Sequence, residues 1–203
     1  MNSVRASKIG LFLLCLLPLG RLVWLGANDG LGANPIEFIT RSTGTWTLNF
    51  LLITLTVTPA RRLLKWPALQ HYRRMLGLFV FFYAVLHFLT YVWLDQFFDW
   101  QSIVKDVIKR PFITAGFSAF VLLLPLAATS TRVMIRRLGR HWQQLHRLIY
   151  AIAAIGVVHY LWLVKKDLTL PLIYAAILFR TSLQRSDRPE QPAAGELSGS
   201  AEA

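Results

Sequence analysis

One cysteine, Cys15, is all that 203 residues carry. An internal disulfide is therefore excluded, and so is any CxxC metal or redox motif. Cys15 lies in an apolar run and reads as a small buried hydrophobe. Acidic residues are also scarce: ten Asp and Glu stand against 22 Lys and Arg, a net charge of +12. All ten, from Asp29 to Glu202, fall outside the long apolar segments. Proton-coupled transporters and pumps usually need carboxylates inside the membrane as relays, and this chain offers none there. A phosphate-binding glycine loop, a nucleophile elbow and a zinc motif are missing too, and no internal repeat is visible. The net charge does not argue for nucleic acid. Basic residues gather in short stretches between apolar blocks, which is how a membrane protein is oriented.

What is present is apolar length. The chain is 55% hydrophobic and only 16% charged, against about 45–50% and about 25% in soluble domains. The excess falls in blocks long enough to span a bilayer. The expected fold is all-α: a polytopic membrane bundle of six transmembrane helices, near 9–26, 45–60, 75–94, 111–128, 142–166 and 168–179. Residues 1–180 form one domain and residues 181–203, polar and rich in Ser, Ala and Gly, a disordered tail. Arg21 and Trp24 extend the first apolar run past a signal peptide's core, and no good cleavage site follows. The basic leader, the 61–74 and 129–145 loops and the tail alternate with the 27–44, 95–110 and 164–168 loops, which hold most of the Asp residues; 95–110 reads as an amphipathic loop of mixed charge. This asymmetry puts both termini in the cytoplasm, and only Lys165 and Lys166 run against it. Trp24, Trp93, Trp100, Trp142 and Trp162 fall at the expected interfaces as an aromatic belt.

The ionisable side chains within or at the edges of the spans are histidines and arginines. His87 lies about two-thirds along the third span, and His159 at a similar fraction of the fifth. Odd-numbered spans run the same way, so both sit at one depth, toward the periplasmic side. Neutral imidazole is a good iron ligand, and haem is a large apolar cofactor that suits a bundle interior. His87 and His159 are thus a candidate bis-imidazole pair for one haem; the alternative for each is an interhelical hydrogen bond. His146, 13 residues before His159, lies roughly 20 Å away along the helix, near the cytoplasmic face. It is either a ligand of a second haem or an interfacial histidine. Thirteen residues turn an ideal helix about 220° past whole turns, so His146 and His159 do not share a face. Gly156 and the nearby alanines would permit a π-bulge between them. His71 and His141 sit in basic stretches and read as solvated or lipid-facing. Arg21 either pairs with a haem propionate or snorkels. The basic stretches 61–74 and 132–141 are orientation signals, with a flavin phosphate or an acidic electron donor as their other possible partners.

Four segments carry a family resemblance: TGTWTLNFLLITLTVTP, RRMLGLFVFFYAVLHFLTYVWLD, KRPFITAGFSAFVLLLPLAATS and RRLGRHWQQLHRLIYAIAAIGVVHYLWLVKK. Together they resemble the ferric-reductase-like transmembrane domain over about residues 9–180. Within that family they are similar to the haem-binding membrane subunits of bacterial periplasmic methionine-sulfoxide reductase systems. The resemblance implies haem b, one or two groups, ligated by His87, His146 and His159, and an FMN cofactor. It implies electrons drawn from the quinone pool or a cytosolic flavin reductase. They would cross the inner membrane to a soluble periplasmic molybdopterin subunit that reduces methionine sulfoxide in damaged proteins. The wider family has two histidines on the third span, whereas the position 14 before His87 is Arg73 here. A second haem would lack that ligand.

Three functions are weighed on these grounds. The first is an electron-transfer subunit whose partner performs the catalytic reduction. The second is an enzyme that reduces Fe(III) or another small acceptor directly at its periplasmic face. The third is a colourless transporter or assembly factor, disfavoured by the lack of intramembrane carboxylates.

Overall fold

The computed structural model describes residues 2–163, together with 174 and 176. Among the described residues all regular structure is helical: α1 (Asn2–Ala27), α2 (Pro35–Leu63), α3 (Gln70–Leu89), α4 (Trp100–Lys109), α5 (Pro111–Ala128), α6 (Arg132–Leu138), α7 (Arg140–Leu145) and α8 (Leu148–Leu163). α3 continues into a π-helical segment, Thr90–Asp95. Four stretches are long and apolar enough to cross a membrane: Arg5–Ala27, Pro67–Asp95, Pro111–Ala128 and Arg140–Leu163. The sixth span expected at 168–179 lies outside the described residues except for Tyr174 and Ala176, as do the Lys165–Lys166 turn and the tail. Tyr174 is buried, and its hydroxyl donates to Asn49 Oδ1 on α2 at 2.7 Å.

α2 is the central helix. Its 29 residues reach about 43 Å, and it buries Thr43, Leu48, Phe50, Leu51, Leu52, Thr54, Leu55 and Val57. Its threonines lower its hydropathy, yet several of them satisfy their hydroxyls on the helix itself; those of Thr40 and Thr58 are buried without a partner. Thr43 Oγ1 donates to the Ile39 carbonyl, Thr47 Oγ1 to that of Thr43 and Thr54 Oγ1 to that of Phe50. A hydroxyl that bonds back to its own helix can sit inside an apolar bundle. Packing is most extensive within two helix pairs, α2 with α3 and α5 with α8, and sparser between them. The ring of Phe50 stacks on Tyr83 at 5.2 Å and on Phe79 at 5.8 Å, joining the first pair.

α1 lies at the periphery. Cys15, Pro18 and Leu22 face inward, at the i, i+3, i+7 spacing of one helix stripe. Phe12, Leu13, Leu14, Leu17, Val23 and Trp24 are exposed on the outer side, which suits lipid rather than water. Arg21 is exposed with them. Pro18 interrupts the backbone ladder of α1, and Tyr83 repairs the ladder next to it. The Tyr83 hydroxyl donates to the Cys15 carbonyl at 2.9 Å and accepts from the Leu19 N–H at 3.2 Å.

Two expectations about the connecting segments are corrected. The 95–110 stretch is not a loop: residues 100–109 form α4. The carboxylate of Asp99 caps it, accepting from the N–H groups of Gln101 and Ser102 and from the Ser102 hydroxyl. α4 is amphipathic, with Ile103 buried and Val104 and Ile108 exposed. The fifth span is also not one continuous helix, because the chain turns at His146 and Arg147 between α7 and α8. Three i→i+3 bonds tighten this turn: Arg147 N to Gln144 O, Ile149 N to His146 O and Tyr150 N to Arg147 O. Such a turn advances roughly 120° per residue instead of roughly 100°, which offsets part of the phase mismatch between His146 and His159. No π-bulge lies between those histidines, since α8 is regular from Leu148 to Leu163.

Two predictions follow from these contacts. Tyr83→Phe removes a buried bridge and should cost about 1–3 kcal/mol of stability. The native reporter is Cys15, which is 3% exposed: a membrane-permeant thiol reagent should label it faster in the variant, and an unchanged rate would show that the hydroxyl does not hold α1. Separately, the hydrogen bonds from Ser102 and Gln101 hold the Asp99 carboxyl below its ordinary pKa. Its capping contribution is then complete above an aspartate's usual value of about 4 and is lost as pH falls through the lower folded value. Amide exchange at Gln101 and Ser102 should accelerate, relative to the intrinsic rate, only at that acid edge.

Candidate functional site

His87 sits near the C-terminal end of α3 and His159 near that of α8. α3 and α8 run the same way, so both rings lie at one end of the bundle. They meet there, with centroids 6.2 Å apart and planes at 70°. Each ring is fixed by a carbonyl from the helix beside it. His87 Nδ1 donates to the Thr40 carbonyl of α2 at 2.9 Å, with Thr43 Oγ1 at 3.4 Å. His159 Nδ1 donates to the Phe112 carbonyl of α5 at 2.6 Å. A carbonyl can only accept, so it fixes the proton on Nδ1 and leaves the Nε2 lone pair free. This is the tautomer of a histidine metal ligand whose other nitrogen is oriented by an outer partner.

The surroundings are apolar and aromatic. Phe112 stacks against His159, and Phe88 stacks on Phe120 at 4.7 Å between α3 and α5. The Thr40 hydroxyl is buried beside the His87 bond and has no hydrogen-bond partner. Among the described residues no three His, Cys, Asp or Glu side chains converge, so no all-protein metal cage is formed there. Two opposed imidazoles are the donor set that suits an iron whose equatorial positions are filled by a tetrapyrrole. His87 and His159, each with Nδ1–H bonded to a carbonyl, would be the residues to hold such an iron. The donor set therefore fits haem.

His146 occupies the other end of the bundle, in the turn between α7 and α8. Its Nδ1 donates to the Trp142 carbonyl at 3.0 Å, repeating the pattern of the other two. Here the resemblance stops. The Trp142 ring covers the imidazole face at 3.9 Å, and Nε2 lies 3.4 Å from Ser130 Oγ. The charge of half-buried Arg73 acts on His146, and no second histidine joins it. His71 and His141 are exposed. Sequence reasoning missed the carbonyls of Thr40 and Phe112, which no side-chain pattern announces, and the contacts of Ser130 and Trp142.

The ferric reductase like transmembrane component family matches residues 42–157. The protein-methionine-sulfoxide reductase heme-binding subunit MsrQ of Herminiimonas arsenicoxydans is 60% identical over 174 residues, covering 84% of this chain and 80% of that protein. The chain belongs to the MsrQ family. The MsrQ of Bordetella pertussis is 56% identical over 179 residues, 87% of each chain. That of Rhodospirillum rubrum is 54% identical over 178 residues, 86% of this chain and 84% of the relative. No solved structure matches the chain significantly. Membership in MsrQ identifies the bundle as a transmembrane component, in agreement with its four apolar spans.

Proposed function

We propose that this chain binds haem b between His87 and His159 and serves as the membrane electron-transfer subunit of a periplasmic methionine-sulfoxide reductase system. The observation that carries the reading is the pair of facing imidazoles, each with Nδ1–H given to a carbonyl and Nε2 left free. The names of the MsrQ relatives, heme-binding subunits of such a reductase, support it. Haem would supply one-electron transfer between ferric and ferrous iron. The chain's own part is to hold both rings and fix their tautomer, with Phe112 stacked against His159.

In this reading six spans cross the bacterial inner membrane and both termini are cytoplasmic. The His87–His159 end then faces the periplasm, where an MsrP-like molybdopterin subunit accepts the electrons and performs the reduction. The quinone pool or a cytosolic flavin reductase supplies them from the other side. FMN is the second cofactor of the proposal, and the arginines of 61–74 and 132–141 are suited by charge to its phosphate. His146 lies toward that donor side, within reach of the charge of Arg73.

A reduced-minus-oxidised visible spectrum of the detergent-purified protein, with haem quantified per polypeptide, tests the reading. Low-spin b-type bands are expected. His87→Ala and His159→Ala should each abolish them, and full haem content in both variants would show the pair to be wrong. His146→Ala removes a side chain roughly 20 Å away by helix rise and should leave those bands in place. If it removes all haem instead, the ligand set has been misassigned.

A further inference from the structure

The two histidine clamps share a detail beyond the carbonyl bond. Gly44 stands four residues after Thr40 on α2, and Gly116 stands four residues after Phe112 on α5. Each glycine lies directly against the imidazole that its own helix clamps. A Cβ at Gly44 would come 3.0 Å from His87 Cε1, 3.2 Å from Nδ1 and 3.5 Å from Nε2. One at Gly116 would come 2.8 Å from His159 Cε1, 2.9 Å from Nδ1 and 3.2 Å from Nε2. Real Cβ atoms essentially never approach closer than 3.0 Å.

The register has a physical cause. In an α-helix each Cα–Cβ bond tilts toward the N-terminus, so a side chain at i+4 covers the turn that holds the carbonyl of residue i. Glycine at i+4 leaves room for an imidazole to lie flat over that turn and reach the carbonyl. Both glycines lie inside regular helix, where a glycine weakens the helix and no unusual backbone angle calls for one. The missing Cβ is what these positions use. Other helical glycines lack this relation to a histidine: Gly10 and Gly20 meet nothing within 4 Å, Gly77 meets Thr54 Cγ2 at 3.8 Å, and Gly156 meets Leu48 Cδ2 at 3.2 Å.

We propose that Gly44 and Gly116 are positioning residues: each opens a helix carbonyl to one imidazole and seats that ring, so that the two together set the mutual rotation of the haem ligands. The proposal rests on the haem reading above. Ring rotation is constrained twice, by the Nδ1–H bond and by contact with the glycine Cα. An added methyl acts on the second constraint and pushes the ring off the first.

The test uses the full-length protein in detergent, with Gly44→Ala, Gly116→Ala and Gly77→Ala, and with His87→Ala and His159→Ala alongside. The readouts are the low-spin EPR g-values of the oxidised protein, the midpoint potential and the rate of haem transfer to excess apomyoglobin. Gly116→Ala should shift the g-values and release haem about 10–100-fold faster, the usual effect of losing an outer partner of a histidine ligand. Gly44→Ala, with its looser contacts, should shift the g-values less, and Gly77→Ala should match the wild type. Wild-type g-values, potential and release rate in both Gly44→Ala and Gly116→Ala would overturn the proposal. So would a loss of helical structure in both variants when prepared free of haem, which would make them packing glycines. Haem retained in full by both histidine variants would instead overturn the haem reading itself, whatever the glycine variants show.

Discussion

Backbone carbonyls are the hydrogen-bond partners on which this bundle depends. In an apolar medium no water is available, and each buried polar group must find its partner within the protein. Here the same solution recurs. The imidazoles of His87, His159 and His146 each donate to a carbonyl, the Tyr83 hydroxyl donates to one, and Thr43, Thr47, Thr54 and Thr56 of α2 turn back on their own helix. The paired rings gain a defined tautomer from it, and α1 gains its attachment beside Pro18. Site and scaffold use one kind of contact.

That dependence also explains how much was legible in the sequence. A histidine near the end of each of two parallel apolar helices places both at one depth, and the rings of His87 and His159 do meet. Periodicity and length were enough for α1, α3 and α5. They undervalued α2, because seven threonines between Thr40 and Thr58 lower the hydropathy of a helix that is nevertheless the most deeply packed. Whether a hydroxyl bonds back to its helix is a matter of rotamer, which composition does not carry. The break at His146 was equally hidden. It arises from a few i→i+3 bonds, and the residues around it are ordinary helix formers. α4 was read as a loop because ten residues of mixed charge carry little hydropathy signal, although Asp99 followed by an amphipathic run is a capping pattern.

The two ends of the bundle differ in kind. At one end two imidazoles lie 6.2 Å apart, each with its Nδ1–H bonded to a carbonyl and its Nε2 free. At the other His146 is covered by Trp142, touched by Ser130 and accompanied by Arg73. Arg73, rather than a second histidine, acts on His146 at that end. The arginine-rich segments flank the same end, so a cationic surface adjoins the less symmetric site.

The two ring clamps belong to different helix pairs. α2 and α3 hold His87, α5 and α8 hold His159, and packing is close within each pair and thin between them. A group held by both imidazoles, as proposed, would tie these two helix pairs together. Any relative tilt of the pairs, such as a change in bilayer thickness imposes, would then be felt at the bonds to that group.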